Sequence, residues 1–87
     1  MKVVIRHKVG DINAWLAGHQ DRVDLFAQVG SGFDTYQDAD DPNSVVLVVE
    51  TPDLEKLGSM VNAPENDAVK AKHTVLEPIT MSMPIQL

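Results

Sequence analysis

The chain has 87 residues, 44% of them hydrophobic, with thirteen acidic side chains against seven basic ones for a formal charge of -6, and no cysteine. That length suits one domain over residues 1–87 with a thin core, burying roughly 60 to 65% of its unfolded surface, and without cysteine neither disulfides nor thiolate-bound metals can add stability, so oligomerisation is the favoured supplement. The negative charge offers no phosphate-neutralising surface and argues against nucleic acid as a partner, while the apolar content and the lack of repeats argue against a disordered tail.

In chain order, KVVIRHKV (2–9) alternates with period two, placing Val3, Ile5, His7 and Val9 on one side and Lys2, Val4, Arg6 and Lys8 on the other, and predicts a first strand. The opening residues are too short and too charged for a secretory or membrane-spanning segment, so a cytoplasmic protein with no membrane partner is expected. Gly10 breaks the strand, Asp11 is a good N-cap, and one helix is expected to about Gln28, with Gly30 as its stop. Residues 32–37 form a second strand. DADDPN is a turn, leading into SVVLVVE, whose continuous β-branched run predicts a strand buried on both faces. Thr51 and Pro52 read as the N-cap and first turn of a helix carrying Leu54, Leu57 and Val61, which breaks near 62–64 and resumes as ENDAVKAK. TVLEPITMSM (74–83) is the fourth strand, with Pro78 marking a bulge or an unpaired position.

The order β-α-β-β-α-β is the ferredoxin-like α+β arrangement, a four-stranded antiparallel sheet with its helices on one face. The other face also carries Val, Leu, Ile or Met, so a second copy packed sheet to sheet is expected to cover it.

Taking 100° per residue, Ile12, Trp15, Leu16, Val23 and Phe26 make one helical stripe, and His19 falls within it. On that reading His19 faces the sheet at a depth comparable with His7, about 10 Å along the helix from Ile12, and the two histidines line one interior volume as candidate catalytic acid or base. The plainer reading of His19 is a packed side chain with a satisfied hydrogen bond, and an inverted first strand would instead put His7 in the interface. Trp15, Phe26, Tyr36 and His73 complete the candidates as substrate contacts. Against these stand a packed tryptophan, an ordinary edge-strand tyrosine and a helix C-terminal histidine favoured by the dipole.

Sharper motifs fail. GSG follows a helix and precedes a strand, the reverse of a phosphate-binding loop. DADDPN has Pro42 at its fifth position, no glycine at its sixth and Val49 where a calcium loop needs glutamate. The three histidines match no metal spacing, and no nucleophile elbow is present. No metal, flavin or nicotinamide is therefore expected.

Three stretches, HKVGDINAWLAGH, DDPNSVVLVVET and TPDLEKLGSMVNAPENDAVKAKHTV, carry a resemblance over nearly the whole chain to the dimeric α+β barrel superfamily, which includes antibiotic-biosynthesis monooxygenases, small polyketide cyclases and haem-degrading enzymes. The resemblance implies a homodimer with a pocket between helices and sheet in each subunit, taking a small hydrophobic or aromatic ligand. It suggests a cofactor-independent monooxygenase or cyclase, with a non-catalytic ligand-binding or dimeric interaction module as the alternative. The haem-degrading members use an asparagine on the first strand and a tryptophan and a histidine on the second helical region. Here the strand has His7 and the tryptophan is Trp15 on the first helix, so haem degradation is not implied.

Overall fold

Alternation in the first strand decides which face of the sheet is covered. In the computed structural model, which describes all 87 residues, β1 (Lys2–Val9) buries Val3, Ile5, His7 and Val9 and leaves Arg6 and Lys8 exposed. It pairs antiparallel with β3 (Ser44–Glu50), where Val45, Leu47 and Val49 are buried on the same side. β2 (Gly32–Gln37) pairs with the far edge of β3, and β4 (Val75–Ser82) with β1, giving the order β2-β3-β1-β4. The connections carry α1 (Ile12–Ala17) and α2 (His19–Phe26) before β2, and α3 (Leu54–Val61), a 3-10 turn at Pro64–Asn66 and α4 (Asp67–Lys72) before β4. A β-α-α-β-β-α-α-β chain on a four-stranded antiparallel sheet is ferredoxin-like α+β, as the sequence predicts.

One core of eleven residues joins the inner sheet face to Trp15, Phe26, Val29, Leu57 and Val61 from the helical layer. The opposite face bears no helix. Val46 and Val48 point there, half-buried, beside Val4 and the exposed Tyr36. Strand β3 is therefore closed on one side and only partly covered on the other within a single chain. No helix is long and apolar enough to cross a membrane.

Two helix boundaries differ from the sequence reading. The expected single helix from 12 is divided at Gly18, whose N–H still bonds to Trp15 O at 3.0 Å. Asp11 caps it as predicted, its Oδ1 accepting from Asn13 N at 2.9 Å and Ala14 N at 3.2 Å. Helix α3 is capped by Asp53, which accepts from Lys56 N at 3.0 Å, and not by Thr51. Thr51 is buried and donates its hydroxyl to Val29 O at 2.6 Å, fastening the end of β3 to the segment after α2, which a solvent-facing cap residue could not do.

Candidate functional site

Between the inner sheet face and helices α2, α3 and α4 lies a half-open cavity with about 80 Å³ of space for water-sized molecules. The irregularity in β4 helps shape it. Arg6 pairs with Thr80 and Lys8 with Leu76, so two steps along β1 match four along β4, and the extra residues around Pro78 bulge opposite His7. A proline lacks the N–H that a regular ladder needs, which is why the strand opens there. The wall is mostly apolar, with Ile5, Phe26, Leu47, Val61, Val69 and Ile79 among its members, and its ionisable members are His7, Arg22, Lys70 and His73. In a chain of net charge -6, this wall carries no carboxylate.

His7 is 7% exposed, and its Nδ1 lies 2.9 Å from Lys8 O. A carbonyl only accepts, so Nδ1 carries the hydrogen and the Nε2 lone pair is left without a protein partner. Burial pushes the His7 pKa below 6.5; the Lys8 carbonyl opposes that shift, and the nearby positive charge of Arg22 reinforces it. The imidazole is thus neutral at pH 7, with one basic nitrogen available.

Arg22 is as buried as His7, at 7%. Its Nη2 donates to the Trp15 carbonyl, and its guanidinium lies 3.9 Å from the centre of the Trp15 ring. Trp15 also meets the edge of His7, with centroids 5.9 Å apart and planes at 73°. One tryptophan therefore braces both polar groups. Arg22 Nε and Nη1 are shut from solvent without any hydrogen-bond partner, and no carboxylate pairs with this cation. Dry, unsatisfied donors cost roughly 1–3 kcal/mol each, and more when charged, so packing alone does not account for an arginine at this position.

His73 follows α4, as its sequence position predicts, and is 4% exposed on the cavity wall, with Nε2 3.2 Å from Asp21 Oδ2. Its ring lies against the backbone of Gly18, where a Cβ would stand 2.4 Å from His73 Nε2. This close approach is the reason for glycine at the division between α1 and α2. Gly18→Ala is expected to push the ring aside and destabilise the protein by about 1–3 kcal/mol, read as a lower urea midpoint with unchanged m-value. A midpoint equal to wild type would show that the ring yields at no cost.

The other candidates separate. Phe26 is buried on the cavity wall and packs on Phe33 with centroids 5.3 Å apart. Trp15 is 1% exposed behind the wall, where it braces His7 and Arg22. His19 does not share the interior with His7. It is exposed and lies edge-on to Phe33, at 5.7 Å, over a shallow depression between α2 and β2. Its turn of helix presents Gly18 to the core instead, because only glycine leaves space for His73. Tyr36 is also displaced from the expected pocket. It pairs with Val46 on the helix-free face and is 55% exposed, since alternation along β2 sends it to the side opposite Phe33. Arg22 is absent from the sequence candidates because the predicted stripe joins Leu16, His19 and Val23 to Trp15 and Phe26, whereas the buried residues are Trp15, Gly18, Arg22, Phe26 and Val29. The phase shared by Trp15, Phe26 and Val29 was the available signal.

No family model and no curated protein matches the chain. Solved structures do. A crystal structure of an antibiotic biosynthesis monooxygenase superposes with a TM-score of 0.69 at 18% identity, over 99% of this chain and 97% of that one. The fold is that of the antibiotic biosynthesis monooxygenases. Within that fold, SnoaB, a cofactor-independent oxygenase from Streptomyces nogalater, gives a TM-score of 0.67 at 16% identity, with 99% and 93% covered. Rv0793 from Mycobacterium tuberculosis gives 0.59 at 18%, with 99% and 95% covered. The likeness extends over nearly the full length of each of these chains.

Proposed function

We propose that the protein is a cofactor-independent monooxygenase that binds an aromatic or polyketide-like substrate in the cavity and works as a homodimer closed through the helix-free sheet face. The observation that carries this reading is the neutral His7 imidazole, with Nε2 unpartnered, on the wall of an apolar cavity. The likeness to a cofactor-independent oxygenase supports it. His7 is the general base, Phe26 and His73 contact substrate, and Trp15 holds His7 in place; His19 and Tyr36 stand outside the cavity and take no part.

The chemistry needs a substrate whose conjugated rings stabilise a carbanion. His7 takes one proton from a ring methylene, and the electron-rich anion reduces dioxygen with formation of a carbon–oxygen bond. The second hydrogen then leaves that carbon as the O–O bond breaks, so the methylene and O2 become a carbonyl and water. A dry apolar wall favours this sequence by keeping solvent protons from the anion.

The test is oxygen uptake with anthrone and related hydroxylated polycycles in buffer containing chelator and no flavin or nicotinamide. One O2 consumed per quinone formed, at a rate that saturates with substrate, is the expected result. Calorimetric binding of the same compounds without uptake would support a ligand-binding module instead, and neither binding nor uptake would leave an interaction module.

A further inference from the structure

We propose that Arg22 makes the cavity selective for aromatic ligands that carry an anionic oxygen, whether an ionised ring hydroxyl or a carboxylate. This inference rests on the cavity being a ligand site, as the proposed function holds, and adds the charge of the ligand it takes.

Three features support it. Arg22 lines the cavity at 7% exposure, and its Nε and Nη1, unpaired and closed to solvent, would gain partners from an anionic ligand oxygen that opens this part of the wall. Its guanidinium is fixed by Trp15, through the ring face at 3.9 Å and through the carbonyl that Nη2 bonds, so the fork is already ordered before a ligand arrives. The other cation on the wall, Lys70, has carboxylates within 4.0 Å in Asp67 and Glu77, whereas Arg22 has none that close and feels the negative charge of Asp21 only at longer range. An apolar wall with one oriented, unpaired guanidinium matches a flat ring system with one charged oxygen at its edge. It fits a neutral ring less well, because the neutral ligand would fill the cavity and leave the donors dry.

Calorimetry with two matched pairs tests the proposal. 2-Naphthoate and 2-naphthamide share a shape and differ in charge; 2-hydroxy-1,4-naphthoquinone, ionised at neutral pH, is set against 2-methyl-1,4-naphthoquinone. Wild type is expected to bind the anion of at least one pair about tenfold to a hundredfold more tightly than its neutral partner, the range for a hydrogen bond to a charged group. The pair that discriminates tells carboxylate from ring oxygen. Arg22→Met should bring that ratio to within about twofold while the neutral ligands bind as before, and Arg22→Lys, which keeps the charge without the fork, should fall between. Equal wild-type affinities for anion and neutral ligand in both pairs would overturn the proposal and leave the cavity reading standing, as would a preference that survives in Arg22→Met. Absence of binding by all four compounds would overturn both. The wild-type comparison decides the matter even if a variant fails to fold.

Discussion

His7→Phe is expected to lower turnover about a hundredfold or more, with substrate affinity within a few fold of wild type. A positioned general base contributes about 10² to 10⁴ in rate, and phenylalanine keeps the ring edge that His7 sets against Trp15 while removing both nitrogens. The pH dependence gives an independent reading. Burial holds the folded His7 pKa below 6.5, so kcat/KM should be flat around pH 7 and fall only on the acid side of 6.5, as the imidazole gains its proton. The same depression links to stability. Above pH 6.5 His7 is neutral in both folded and unfolded chains, and the folded state has its full stability. As pH falls from 6.5 toward the lower folded value, the unfolded chain takes the proton first, and stability declines. In His7→Phe that part of the decline is absent. An unchanged rate in the variant would sink the assignment of His7 as the base, and an unchanged pH slope of stability would show that its burial carries no linkage.

Val46→Lys should convert a dimer into monomers. Val46 points to the helix-free face, half-buried within one chain, and a partner sheet would complete its burial. A lysine there would be buried by the partner sheet, at a cost of several kcal/mol, so the dimer dissociation constant should rise about a thousandfold or more. Sedimentation or light scattering across micromolar concentrations measures it. Val45→Ala is the control: Val45 lies on the inner face at 0% exposure, so its truncation should lower the melting temperature without altering mass. A wild type that is monomeric at these concentrations would remove the dimer from the proposed function, and a Val46→Lys protein that stays dimeric would place the interface elsewhere.

Periodicity in the sequence was enough for the strands. KVVIRHKV and SVVLVVE alternate or run apolar in ways that only strands accommodate, and Pro78 in the last strand announces its own bulge because the missing N–H is a local property. The same period of two groups His7 with Val3, Ile5 and Val9, but an inverted strand would send all four to the other face, and it is the structure that places them inward. Asp11 as a helix cap and the break near residues 62–64 were equally local.

The helix before β2 was a different matter. The apolar stripe read from side-chain polarity, Ile12, Trp15, Leu16, Val23 and Phe26 with His19 among them, overlaps the buried one, Trp15, Gly18, Arg22, Phe26 and Val29, but is rotated from it by about one residue. What decides for the second is a contact from 55 residues later in the chain, the His73 ring on Gly18, together with a tryptophan face that lets a guanidinium be buried. His73 comes from a distant segment, so no local pattern could register its contact with Gly18, whereas the seven-residue spacing of Trp15 and Arg22 left a trace in the phase that Trp15 shares with Phe26 and Val29. The sequence by itself therefore determined the four strands, the helical segments between them and their order, which follow from backbone periodicity and local hydrogen bonding, while the side of the sheet that His7 takes was decided by the tertiary structure. Only the tertiary structure decided that the second polar group beside His7 is Arg22 and not His19, because that choice depends on which side chains from distant segments fill the space around one turn of helix.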